Sequence, residues 1–248
     1  VEAVTTGAST QYVCKTGGAT AATCQDGILD GTDCRVEIAT ACTGTLQSKV
    51  STATDTRNIL MNVNGTLGAF NVANLTASGN IGNFQNSFLV ANLAQANIDF
   101  DGFSTTPAAK KTLMNSTTLV SYLRGNTGYE NRSSNLVGLD DNRIYRFREA
   151  TLGDLIDSTP IFVGAPKANF ADPGYGTTAA VGSFKNTQSS RPGTVYIGSN
   201  DGMLHAINAT DGQERWAYVP SMVLNNMWKL ADKNYASGHN YYVNGDIV

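Results

Sequence analysis

Two short apolar runs, residues 195–198 and 203–207, flank Asn200-Asp201-Gly202. Asx-Gly between β-rich runs is the chemistry of a tight hairpin, because Asn, Asp and Gly tolerate positive φ at low cost. A second turn, Thr210-Asp211-Gly212, leads into a third run that carries Trp216, Tyr218 and Val219. Upstream, Ser158-Thr159-Pro160 opens a β-rich run at 161–163, and Pro is tolerated at a strand's first residue. The pattern predicts a four-stranded antiparallel meander. A Gly/Pro/Ser/Thr-rich excursion, 164–193, separates its first two strands. Another hairpin is expected where residues 58–63 and 67–70 surround Asn64-Gly65-Thr66.

Elsewhere the period changes. Residues 108–124 predict a helix, with Pro107 in its first turn, Thr105 or Thr106 as cap and Gly125 as stop. Leu113, Val120 and Leu123 share one face of it. A second helix is expected at 221–233, with Val223, Leu224, Met227, Trp228 and Ala231 at helical spacing as core. Residues 71–105 read as an Asn/Ala/Gly-rich insertion with a short helix at 88–95. In 126–150, alternation predicts a strand with Ile144, Arg146 and Arg148 on one side. Basic residues beside Tyr145 and Phe147 could stack on nucleic acid. Arginines paired with Glu149, Asp154 and Asp157 are the reading adopted. Residues 240–248 read as a strand opening a further sheet unit.

Composition then narrows the class. The 248 residues are 41% hydrophobic and 15% charged, with 25 Gly, which suits a loop-rich β protein with a real core. A net charge of −3 without a basic cluster leaves no footprint for nucleic acid. No apolar run reaches the ~20 residues of a membrane helix. Cys14, Cys24, Cys34 and Cys42 cluster in a polar segment without Cys-x-x-Cys spacing, so they read as two disulfides in an oxidising compartment. Three pairings are open, of which Cys14–Cys24 with Cys34–Cys42 is favoured. Residues 1–50 are therefore expected to be a disulfide-stapled irregular region, and 51–248 a separate β domain.

The search for catalytic chemistry returns little. No Gly-x-Ser-x-Gly elbow, phosphate-binding Gly-Lys-Ser/Thr loop or His-Glu-x-x-His is present. His205 shares a strand face with Met203 and Ile207 and reads as a packed, hydrogen-bonded histidine, with a ligand or proton-transfer role as the alternative. His239 lies in a turn, Ser237-Gly238-His239-Asn240. Asn97, Asp99, Asp101 and Gly102 fall at positions 1, 3, 5 and 6 of a calcium loop, but the bidentate carboxylate position is Ala108. Asp26, Asp30 and Asp33 form a second acidic turn. No cofactor is expected, and calcium lacks a complete motif.

The strand order, the Thr-Asp-Gly turn and the following Trp resemble the blades of quinoprotein-type propellers, where a Gly turn and a Trp staple neighbouring blades. More narrowly, LGDLIDSTPIFVGAP (152–166), SNDGMLHAINATDGQERWAYVP (199–220) and HNYYVNGDIV (239–248) resemble the C-terminal domain of the PilY family of type IV pilus tip adhesins. TRNILMNVNGTLGAF (56–70) and VSYLRGNTGYE (120–130) fit the same family. The resemblance implies a mainly β chain: a partial, modified quinoprotein-like β-propeller with short helices and long loop insertions, continuing beyond residue 248. Its blade signature would be Asn200, Asp201, Gly202, His205, Gly212 and Trp216, in a structural role. It also implies a non-enzymatic pilus-tip component, exported through the periplasm to the cell surface, that supports assembly and adhesion. The implied partners are minor pilins, host or abiotic surfaces and the rest of the propeller. A quinone-dependent dehydrogenase and a propeller binding module unrelated to pili are the alternatives.

Alkylation of the native protein without reduction should label none of the four cysteines in intact-mass analysis. Two labelled thiols would remove one disulfide and four would remove both, and either outcome would overturn the oxidising compartment.

Overall fold

The structure is a computed structural model that describes residues 2–6, 9–13, 29–30, 33–34, 46, 50, 55–82, 107–132, 136–137, 140–170, 174–175 and 182–247. Its centre is one six-stranded sheet. The predicted meander forms from β9 (Ile161–Val163), β10 (Thr194–Ser199), β11 (Met203–Asn208) and β12 (Glu214–Val219), each antiparallel to the next. The second predicted hairpin, β5 (Ile59–Val63) and β6 (Thr66–Ala69), also forms. Rather than starting a separate unit, it joins the same sheet: β5 runs parallel to β12, with Ala217 opposite Ile59 and Val219 opposite Met61. The order is β6-β5-β12-β11-β10-β9 and the sheet is open, with β6 and β9 at its edges. Among the described residues, three two-stranded ribbons pair separately from it: β1 (Glu2–Thr6) with β2 (Ser9–Val13), β3 (Leu29–Asp30) with β4 (Asp33–Cys34), and β7 (Leu136–Val137) with β8 (Asp140–Asp141).

The two main hairpins solve their turns differently. Asn64 at φ 51 and Gly65 at φ 91 both take the left-handed region, as a two-residue type I′ loop requires. At Asn200-Asp201-Gly202 only Gly202 does, at φ 91. Ser199 pairs with Met203, leaving a three-residue loop of the type I plus glycine-bulge kind.

One face of the sheet is covered by helices. Ile59, Met61, Met203, Ala217 and Val219 pack against Leu75 of α1 (Val72–Ala77) and against Leu119, Tyr122 and Leu123 of α3 (Ser116–Leu123). Leu224 of α5 (Ser221–Leu224) and Met227, Leu230 and Ala231 of a 3-10 turn (Met227–Ala231) complete this layer. The helix expected over 221–233 is thus two short pieces, with its apolar residues in the core as read. Likewise 108–124 is not continuous: α2 (Pro107–Leu113) ends and α3 begins afresh. Asn115 causes the break, since its carboxamide oxygen accepts the N–H of Thr117 and Thr118 while Thr118 Oγ1 accepts the Asn115 N–H. Such a capping box competes with helix continuation. Gly125 does stop α3: it sits at φ 109, with Asn126 N–H bonded to Ser121 O and Gly125 N–H to Tyr122 O, a Schellman closure. Within the insertion at 71–105, Asn71 caps α1, which the polar composition concealed. Among the described residues of the excursion at 164–193, one helical turn forms, α4 (Phe184–Thr187).

Two expected strands do not form. Residues 142–150 make only a bridge between Tyr145 and Glu130. Their backbone N–H groups go instead to Tyr129 O, Ala231 O and the Glu130 carboxylate. Residues 240–247 run as bends, because Tyr242 N–H is taken by the Asn200 side chain and Asn244 by Asp157. The helix expected at 88–95, residues 97–106 of the calcium-like loop, and Cys14, Cys24 and Cys42 lie outside the described residues; of Cys34 the backbone alone is described.

Replacing Asn115 with Ala should lower stability by about 0.5–2 kcal/mol in denaturant titration. An unchanged midpoint would mean that α2 and α3 are held apart by packing alone.

Candidate functional site

Charges that no sequence pattern grouped meet under the Asn200 hairpin. A bulge between β11 and β12 is the local cause: Ala206 pairs with Trp216 and Ile207 with Glu214, so Arg215 is the extra residue. Bulges re-aim side chains, and here the bulge turns Glu214 on to the inner face beside His205. The His205 Nδ1 lies 2.8 Å from Glu214 Oε1, and Nε2 lies 3.1 Å from each Asp201 carboxylate oxygen. From the far side Arg57, two residues before β5, donates Nε and Nη2 to Glu214 at 2.9 Å each. Its Nη1 donates to Arg124 O at 2.7 Å. Arg124 in turn pairs with Asp55 and donates to Phe70 O and Arg57 O. The Arg57, Glu214 and His205 side chains are at most 1% exposed, and Asp201 is 11% exposed.

The protonation states follow from this geometry. Burial alone would strip the proton from His205, but the Asp201 charge and the hydrogen bonds to Asp201 and Glu214 outweigh it, against a smaller opposing push from Arg57. The imidazole is raised from 6.5 to about 9. Burial likewise works against the Glu214 carboxylate, and hydrogen bonds from His205 and Arg57 overcome it, holding the group at about 2. Asp201 is also lowered: burial opposes its charge and the His205 imidazolium outweighs that. Asp201⁻, His205⁺, Glu214⁻ and Arg57⁺ therefore form a neutral row inside the sheet layer. Every carboxylate here is already bound to a cation, so the row supplies no idle acid or base to a substrate.

The quoted motifs converge on this hairpin. Leu152-Gly153-Asp154 lies against it so closely that a Cβ on Gly153 would come within 2.3 Å of Asp201 N. Asn200 donates its backbone N–H to Asp154 O and its Nδ2 to Asp154 Oδ2 at 3.0 Å. His239 Nε2 reaches the same Oδ2 at 3.1 Å. A Cβ on Gly198 would meet Val243 O at 2.7 Å, and one on Gly125 would meet Thr151 Cγ2 at 2.5 Å. Asn200, Asp201, Gly202 and His205 are thus brought together. Gly212, at φ 72, sits at the opposite end of β11, and Trp216 packs on Tyr196 of the same sheet at 5.8 Å between ring centroids.

A second ionic cluster borders the first. Glu130, fully buried, receives Arg132 at 2.6 Å and Arg148 at 2.8 Å. Arg148 also lies 3.7 Å from the centre of the Tyr122 ring. Of the arginines expected to be ion-paired, Arg148 is, but with Glu130 rather than Glu149, Asp154 or Asp157, whereas Arg146 donates Nε to the Leu230 carbonyl. Between the two clusters opens a cleft of about 490 Å³, bordered by Arg146, Arg148, Asp154, Asp201, Leu230 and Tyr235. Among the described residues no group of three or more His, Cys, Asp or Glu side chains is placed to hold a metal ion, and no helix is long and apolar enough to cross a membrane. Arg57, Glu130 and Glu214 were missed in the sequence. Glu214 alone carried a signal, an acidic residue opening a strand directly after a Gly turn.

Residues 152–248 match the family model of the PilY1 beta-propeller domain. The chain is 35% identical over 130 residues to a type IV pilus biogenesis factor PilY1 homolog of Xylella fastidiosa, covering 52% of this chain and 10% of the relative. It is 37% identical over 131 residues to the type IV pilus biogenesis factor PilY1 of Pseudomonas aeruginosa strain PAK, covering 52% and 10%. With PilY1 of strain UCBPP-PA14 the identity is 38% over 110 residues, covering 42% and 9%. The chain thus spans about a tenth of the length of these curated relatives. No solved structure matches it significantly.

Stability should fall at both ends of the pH scale for identifiable reasons. His205 is raised in the folded state, so its contribution is complete below 6.5 and is lost as pH rises through about 9. Glu214 is lowered, so its contribution is complete above 4.5 and is lost as pH falls through about 2. Denaturant midpoints should be highest between these windows. His205→Gln should flatten the alkaline decline; a decline of unchanged size in that variant would assign it to another group.

Proposed function

We propose that the chain is a member of the PilY1 family, on the match of residues 152–248 to its beta-propeller domain, and that it is a non-enzymatic segment of a type IV pilus tip protein that supports pilus assembly and surface adhesion. The observation that carries this reading is the family match over the segment in which the LGDLIDSTP, SNDG and HNYYVNGD motifs interlock. The relatives are named as biogenesis factors. The meander β9–β12 serves as one propeller blade, residues 51–248 as part of the propeller, and residues 1–50 as a stapled appendage. Asn200, Asp201, Gly202, His205, Gly212 and Trp216 act as the structural signature of that blade. The insertions at 71–105, 126–150 and 164–193 act as recognition loops on a rigid carrier. Minor pilins at the filament tip and a host or abiotic surface are the partners, and the location is outside the cell.

Deletion of the encoding gene should reduce sheared surface pilin and attachment to a surface, with both restored by the wild-type gene in trans. Unaltered pilin and attachment in the deletion strain would overturn the reading.

A further inference from the structure

The cleft between the two ionic clusters has a chemistry that the pilus reading does not use. Its volume, about 490 Å³, lies within the range of small-molecule sites. Arg146 is fixed on its wall: the backbone N–H donates to Ala231 O at 3.2 Å and Nε to Leu230 O at 2.6 Å. The guanidinium also lies 4.5 Å from the Tyr235 ring centroid. Tyr235 is itself anchored through its hydroxyl to Asn240 O at 3.1 Å. The two Nη groups of Arg146 have no acceptor among the described residues. A guanidinium oriented through Nε, with its outer nitrogens left over, is prepared for a carboxylate.

The remaining charges differ in kind. Arg148 is bound to Glu130, which Arg132 also binds. Asp201 is matched by His205. Asp154 accepts from Asn200 and His239. Glu149, also on the lining, is exposed to water. The cleft therefore combines a guanidinium whose outer nitrogens have no acceptor among the described residues with carboxylate oxygens that already hold donors. Such oxygens keep lone pairs free to accept from ligand hydroxyls. A ligand with one full negative charge and several hydroxyls fits both walls.

We propose that this cleft binds an acidic sugar, with the carboxylate of a uronic acid seated on the Arg146 fork and ring hydroxyls donated to Asp154. Free sugar and a residue within a polysaccharide present the same group. Calorimetric titration of the intact chain with tetragalacturonate tests the assignment, beside its methyl ester, monomeric galacturonate and a tetraglutamate peptide. Tetragalacturonate should bind, and the neutral ester should bind at least about tenfold more weakly, since the charge-assisted pair is lost. Arg146→Lys should also weaken tetragalacturonate about tenfold, because an ammonium cannot reproduce the bidentate fork. Galacturonate binding as tightly as the tetramer supports a single-residue site, and a tighter tetramer supports a polymer ligand. No binding of tetragalacturonate, an ester equal to the acid, or a peptide equal to or tighter than the sugar would each overturn the proposal. Should Arg146→Lys lose its near-ultraviolet circular dichroism, the ester and peptide comparisons on the wild-type chain decide.

Discussion

Four alternating charges in a row, Arg57, Glu214, His205 and Asp201, occupy the place where a sheet of this kind would carry aliphatic side chains. Charges removed from water are costly unless each is paired and hydrogen-bonded. Here each one is, and no member could be replaced singly by a neutral residue without stranding its neighbour. Breaking such a pair typically costs about 3–5 kcal/mol, whereas the intact pair adds little over a well-packed apolar substitute. The row therefore acts through what it forbids. Any register of β5 against β12, or any closure of the Asn200 loop, that displaces one partner leaves a bare charge in the core.

The row also explains why so many glycines lie close to it. Ionic groups hold the hairpin from within, and backbone segments press on it from without. At Gly153, Gly198 and Gly125 a single added carbon would enter the space of a neighbouring chain. The outer wall is then secured by side chains: Asn200 spans Asp154 and the backbone of Tyr242, while His239 returns to Asp154. A polar loop is thereby made rigid without an aliphatic core of its own.

Most of the local structure was legible. Both main hairpins, the long excursion before β10 and the glycine stop of α3 follow from turn chemistry and apolar periodicity acting over a few residues. What escaped depends on longer range or on a single insertion. Asn115 divides a helix because its side chain outcompetes the backbone for two N–H groups, which periodicity does not register. The extra residue Arg215 reverses the facing of Glu214, so an alternation count puts the wrong side chain inside. Residues 142–148 alternate like a strand yet give their N–H groups to a buried carboxylate and a distant turn. Arg57 and Glu214 lie 157 positions apart, and no motif links them. The family resemblance did not register the parallel junction of β5 with β12.

That junction sets an order of events. The β9–β12 meander can close through contacts between chain neighbours, whereas β5 reaches β12 only after a long loop has been drawn shut, with the entropic cost this entails. During synthesis from the N-terminus, β5 and β6 emerge before β12 and wait with the outer edge of β5 uncovered while the intervening chain is made. An uncovered edge invites pairing with other chains. The β5 edge is open to such pairing until β12 arrives, and docking of Arg57 on Glu214 accompanies its covering.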